Sequence, residues 1–145
     1  MDGKVGAYRR VDTEGKSQLE LIVQVYDGAI DSMRKAGGHY RNEQWQPGYD
    51  ELERSRRFLT HLYTTLNHEK GGDIAKELGK LYAWVINQIN VAQGTKDLAV
   101  IDDSISILTN LREGWLGLKE QQASEKPTAQ PEPTGADKGS FVHSA

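Results

Sequence analysis

The sequence predicts an all-α protein: an antiparallel up-down four-helix bundle with an N-terminal arm and a disordered C-terminal tail. Three observations carry that expectation. Apolar residues recur at steps of three, four and seven in four successive segments, the spacing that places side chains on one helical face. No segment shows the sustained two-residue alternation of a half-buried strand. Glycine- or proline-marked breaks separate the segments, and helices of about 20 residues joined by short connections favour antiparallel neighbours.

Residues 1–16 contain Gly3, Gly6 and Gly15 without an evident helical period and read as the arm. Ser17 then matches a helix N-cap, with Glu20 three residues on as in a capping box. Leu19, Ile22, Tyr26, Ala29, Met33 and Tyr40 form the apolar face of the first helix, and Gly37 and Gly38 weaken its far end. Pro47 opens the second helix, because its missing N–H is harmless in a first turn. The expected stripe there is Leu52, Leu59, Tyr63 and Leu66. Gly71 and Gly72 stop this helix, and Asp73 is the expected cap of the third, whose core face is Ile74, Leu78, Leu81, Tyr82, Val85 and Ile89. Gly94 is the expected end of the third helix. The fourth starts near Asp97, with Leu98, Ile101, Ile105, Leu108 and Trp115 inward. Truncating Leu81 or Ile105 to alanine in such a core costs about 2–5 kcal/mol. Three of the four prolines fall in residues 120–145, a polar stretch with one aromatic, Phe141. Such a stretch buries too little apolar surface to offset its ordering entropy. The expected organisation is therefore an arm at 1–16, the bundle at 17–119 and a tail at 120–145.

Composition excludes several kinds of chemistry. A chain of 145 residues is one domain in size, and with no cysteine it has no disulfide, thiolate metal site or cysteine nucleophile. Eighteen basic against twenty-one acidic residues, net charge −3, disfavour a nucleic-acid partner. The start, MDGKVGAYRR, has no apolar signal core, and no apolar run approaches a bilayer span. A soluble cytoplasmic protein is expected. His39, His61, His68 and His143 are preceded at three residues by Ala36, Phe58, Thr65 and Ser140, so the Glu-x-x-His of a bundle metal site is missing. The glycine pair in EKGGD lacks the spacing and following lysine of a phosphate loop, and no serine has a nucleophile-elbow context. Arg54, Arg56 and Arg57 read as a solvated helix face pairing with Glu51 and Glu53. No catalytic residue, cofactor site or metal site is expected.

A helix facing one core needs one apolar stripe, and the fourth has two. Val100, Ile107, Leu111 and Leu118 group about 100° from the inner face, with Ser104 and Gly114 completing that second face. On the third helix Trp84 and Val91 also lie off the core stripe. One account is a helix touching two neighbours in the bundle. The other is an apolar groove for a partner segment, lined by these six apolar residues, into which the arm with Tyr8 and Val11 folds when empty.

Four pieces of sequence carry a resemblance: Ala7-Tyr8 with Val11 soon after, YDGA at Tyr26 to Ala29, LNHEKGGDIAKELGKLYAWV from Leu66 to Val85, and LTNLREGW ending at Trp115. In this order they resemble the flagellar export chaperone family, FliS, over roughly Gly6 to Leu118. Gln18 stands where the family usually has proline, Asn67 where it tends to have aspartate, and Gln93 where it tends to have asparagine. The resemblance implies an antiparallel helical bundle in the bacterial cytoplasm. It implies binding of the C-terminal segment of newly made flagellin, prevention of premature polymerisation, and delivery to the export gate of the flagellar type III apparatus. It also implies that the N-terminal arm and its tyrosine cap the binding surface. Another helical adaptor or regulator of the same machinery, holding a different peptide in the same groove, is the alternative. A metal- or nucleotide-dependent enzyme on a bundle is a third reading, which the absent motifs disfavour.

Overall fold

A computed structural model describes the backbone of residues 3–125 and the side chains of residues 18–123. It contains four helices, α1 (Gly3–Arg41), α2 (Trp45–Thr64), α3 (His68–Thr95) and α4 (Leu98–Glu125), and no strand among the described residues. The chain divides into two compact units. One is Val25–Arg112; the other, in its described part, is residues 3–24 of α1 with residues 113–125 of α4.

In the larger unit the contacts fix the direction of each helix. Tyr40 meets Gly48 next to the first turn, while Gly28 meets Phe58 far from it, so α1 and α2 run antiparallel. Arg56 bonds Gln93 at 2.8 Å and Tyr63 approaches Gly79, which sets α2 and α3 antiparallel. Gly37 faces Ile101 and Asp27 pairs with Arg112, so α4 is antiparallel to α1. Tyr26 of α1 and Tyr82 of α3 close the diagonal, their hydroxyls 2.6 Å apart in the core. The bundle expected from the apolar spacing is the bundle observed.

The α1–α2 seam is closely packed at two glycines. A side chain on Gly48 would collide with the buried Tyr40 ring, and one on Gly28 with the Phe58 ring. Between these points Ser55 donates to Ser32 at 3.0 Å, and Ser32 donates to the Gly28 carbonyl at 2.7 Å. The two buried hydroxyls are thereby satisfied without water. Burial, with Tyr49 nearby as a smaller cause, pushes the Tyr40 phenol up.

Several sequence expectations are corrected. The first helix begins at Gly3, so Ser17 lies inside it and is not a cap, and the backbone of residues 3–16 is helical. Extending an existing helix needs no new nucleus, and the run from Gly3 to Lys16 contains no proline. At the other end α4 continues through Glu125, past the expected boundary at 119. Residues 126–145, with Phe141 and Val142, lie outside the described residues.

The second helix stops at Thr64, before the glycine pair. Asn67 is the N-cap of α3, its side chain accepting from the Lys70 amide at 2.9 Å. Gly72, at φ 52°, then kinks the helix one turn later, just before Asp73. Nor does Gly94 end α3: the left-handed residue after it is Lys96, at φ 59°.

The core is Tyr26, Ala29, Met33 and Tyr40 from α1, Leu52 and Leu59 from α2, Tyr82, Val85 and Ile89 from α3, and Ile101 and Leu108 from α4. Tyr63, expected inside, is 47% exposed near the end of α2, and Leu62 is buried instead. Ile74, Leu78, Leu81, Leu98 and Ile105 are half-buried flank residues. Ser104 is buried and donates to the Val100 carbonyl at 3.0 Å, so it belongs to the core and not to the second face.

In the smaller unit Lys119 pairs with Glu20 at 3.8 Å, Leu19 and Val23 are buried, and Leu21 is exposed. Trp115, Leu116 and Leu118 are half-buried there.

Candidate functional site

The turn joining α3 to α4 is only Lys96 and Asp97. The Lys96 amide bonds the Ala92 carbonyl at 2.7 Å, and the Asp97 carboxylate accepts from the Ala99 amide at 2.9 Å. Each helix end at the turn thus gains a partner for one of its otherwise unpaired backbone groups. In so short a connection, residues equally far from the turn lie level with each other along the antiparallel pair. Val91 is level with Asp102, half a turn past Val100, and Trp84 with Thr109, in the turn of α4 that holds Ile107 and Leu111.

The buried stripe of α4 is Ile101, Ser104 and Leu108, and its contact with α1 runs through Ile101 and Arg112. Val100, Ile107 and Leu111 sit on the flank turned away from α1 and are half-buried. On α3, Trp84 is 40% and Val91 37% exposed, on the side away from Tyr82, Val85 and Ile89. Leu118 is also half-buried, in the smaller unit. The backbone at Tyr8 and Val11 is part of α1, and their side chains lie outside the described residues.

Other exposed aromatic groups escaped the sequence reading. Trp45 and Tyr49 are 45% and 43% exposed at the start of α2, where the Lys96 ammonium lies 5.7 Å from the Trp45 ring. They were unmarked because periodicity sorts residues by face and carries no signal for a helix end, where even a core-facing position meets water.

Polar groups on the α2–α3 side are organised around one carboxylate. Gln93 donates to Glu53 at 2.8 Å, Arg56 donates to Gln93 at 2.8 Å, and Arg56 donates to Glu53 at 3.2 Å. The Gln93 amide foremost, with Arg56 and Arg57, holds the Glu53 carboxyl below the usual carboxylate range against the opposing effect of its desolvation. Arg54 stacks over the Phe58 ring at 5.8 Å. Two members of the arginine cluster are therefore engaged within the protein. No helix of the described residues is long and apolar enough to cross a membrane.

The sequence matches the model of the flagellar protein FliS over residues 1–122. A flagellar secretion chaperone FliS of Vibrio cholerae is 27% identical over 119 residues, which are 79% of this chain and 88% of that protein. The flagellar secretion chaperone FliS of Salmonella typhimurium is 27% identical over 116 residues, 77% of this chain and 86% of its own. A solved structure of a bacterial flagellar chaperone superposes with a TM-score of 0.68 at 26% identity, covering 72% of this chain and 85% of that one. The match runs through the four helices, the relatives are chaperones rather than enzymes, and the chain belongs to the FliS family of flagellar secretion chaperones.

Proposed function

We propose that this protein binds the C-terminal segment of flagellin in the cytoplasm, keeps it from polymerising before export, and hands it to the flagellar type III export gate. One observation carries the reading. Outside the fully buried core, α3 keeps Trp84 and Val91 exposed and α4 keeps Val100, Ile107 and Leu111 half-buried, which supports an apolar strip along the two helices. A strip of this kind suits an amphipathic helix laid along it, with anchors spaced at three, four and seven residues. A client segment that is disordered when free gains a folded apolar surface there, and its own self-association is blocked while it is held.

Titration calorimetry of the full chain with a peptide of the flagellin C-terminus tests this. Saturable one-to-one binding with a negative heat-capacity change is the expected result, since apolar surface is buried. Heat of dilution alone at peptide concentrations of about 100 μM would overturn it. In the same reading the first sixteen residues, with Tyr8 and Val11, compete with the client. Their removal then raises peptide affinity, and an unchanged or lowered affinity removes them from that role.

A further inference from the structure

We infer that the outer face of α3 is the centre of the client surface and selects a helical segment free of charged side chains over about four turns. The inference rests on the flagellin reading and adds to it what the client must look like. From Leu81 to Thr95 the chain has fifteen residues and no charged side chain. At 1.5 Å per residue that is about 22 Å of helix, or four turns. The stretch includes the solvent side: Ala83, Trp84, Asn87, Asn90, Val91 and Gly94 are all exposed. Exposed helical positions ordinarily carry lysine, glutamate or arginine, and depletion of charge with aromatic enrichment marks the core of an interface.

The residues used instead are poor choices for an isolated helix. Asparagine ranks low in helix propensity, and glycine costs about 1 kcal/mol relative to alanine. Among the described residues nothing calls for them. Asn87 and Asn90 make no side-chain hydrogen bond among the described residues. A side chain at Gly94 would meet nothing within 4 Å. The backbone there is not left-handed, since that conformation falls on Lys96. Two exposed amides and a site of closest approach, flanked by Trp84 and Val91, are the parts of a docking face. Its lack of charge sets the chemistry of the occupant. A lysine or glutamate pressed against it would be desolvated with no charged group on this stretch of α3 to pair with, whereas an apolar residue loses nothing and a glutamine, asparagine or serine finds Asn87 or Asn90. The occupant is therefore a client helix with an uncharged face, carrying amides or hydroxyls opposite those two residues.

The test uses the full chain, the flagellin C-terminal peptide, and the variants Asn87→Lys, Ala83→Lys and Gly94→Lys. Lys76→Glu, beyond the uncharged stretch, serves as control. Each of the three variants is expected to weaken binding by about tenfold or more, since each charge must be desolvated at the centre of the interface. The control stays within about twofold, as a rim charge does. Melting temperatures distinguish this from damage to the fold. Lysine is the better helix former, so Asn87→Lys and Gly94→Lys should melt no lower than the wild type. Wild-type affinity in all three variants would overturn the inference and leave the flagellin reading standing. A wild type that does not bind the peptide would overturn both. Sedimentation adds a further discriminating outcome: a wild-type dimer turned monomeric by Asn87→Lys, with peptide affinity unchanged, assigns the face to a second copy and overturns the proposal.

Discussion

Along the α1–α2 seam the Tyr40 ring fills the space over Gly48 and the Phe58 ring that over Gly28, whereas on the outer face of α3 the space beside Gly94 is open. The same residue type serves two purposes. In the seam its missing side chain is taken up by a neighbour, and two serine hydroxyls close the remaining polar gap at 3.0 Å. On α3 the exposed amides and the half-exposed Trp84 have no such completion among the described residues. The difference teaches where stability and binding reside in so small a bundle. One pair of helices is packed to an end, and the other keeps surface in reserve.

The largest effects should come from the packed side. Leu108→Ala, fully buried on α4, is expected to cost about 2–5 kcal/mol in urea unfolding, and the half-buried Ile105→Ala clearly less. Equal costs would mean that these two positions of the inner stripe are buried alike. Gly48→Ala is expected to cost about 1–3 kcal/mol, because the methyl group meets a ring with little room to move. A neutral Gly48→Ala would break the contrast with Gly94→Ala, which has open space and should stabilise slightly.

On the open side the readout moves from stability to affinity. Ile107→Asp is expected to weaken the flagellin peptide by about tenfold while circular dichroism stays helical, since the charge must be desolvated on docking. Loss of the helical signal would place Ile107 in the core.

The smallest effect concerns Gln93. Its hydrogen bond depresses the Glu53 pKa, so the contribution is present above the unfolded carboxylate value and is lost as pH falls through the lower folded value. Gln93→Ala should therefore lower stability by less than about 1 kcal/mol at neutral pH. The gap from the wild type should close as pH falls through the lowered carboxyl value of Glu53. A gap that widens on acidification would contradict the direction of the shift.

Helix number, order and the main core residues were determined by the sequence alone. Tyr26, Leu52, Leu59, Tyr82, Val85, Ile101 and Leu108 stand on stripes set by a period of 3.6, and a period acts locally. The two apolar directions of α4 were legible for the same reason, as was the absence of charge between Leu81 and Thr95, whose meaning needed exposure to be known. Tertiary structure decided what a period cannot. It carried α1 back through Ser17 to Gly3 and moved the left-handed stop of α3 from Gly94 to Lys96. It also left Tyr63 in water where its position on the stripe put it inside, and buried Ser104 against the core. The physical reason is common to these cases. Propensity and spacing specify which way a residue faces on its own helix, but how long the helix runs and whether a face is covered depend on the neighbours that pack against it.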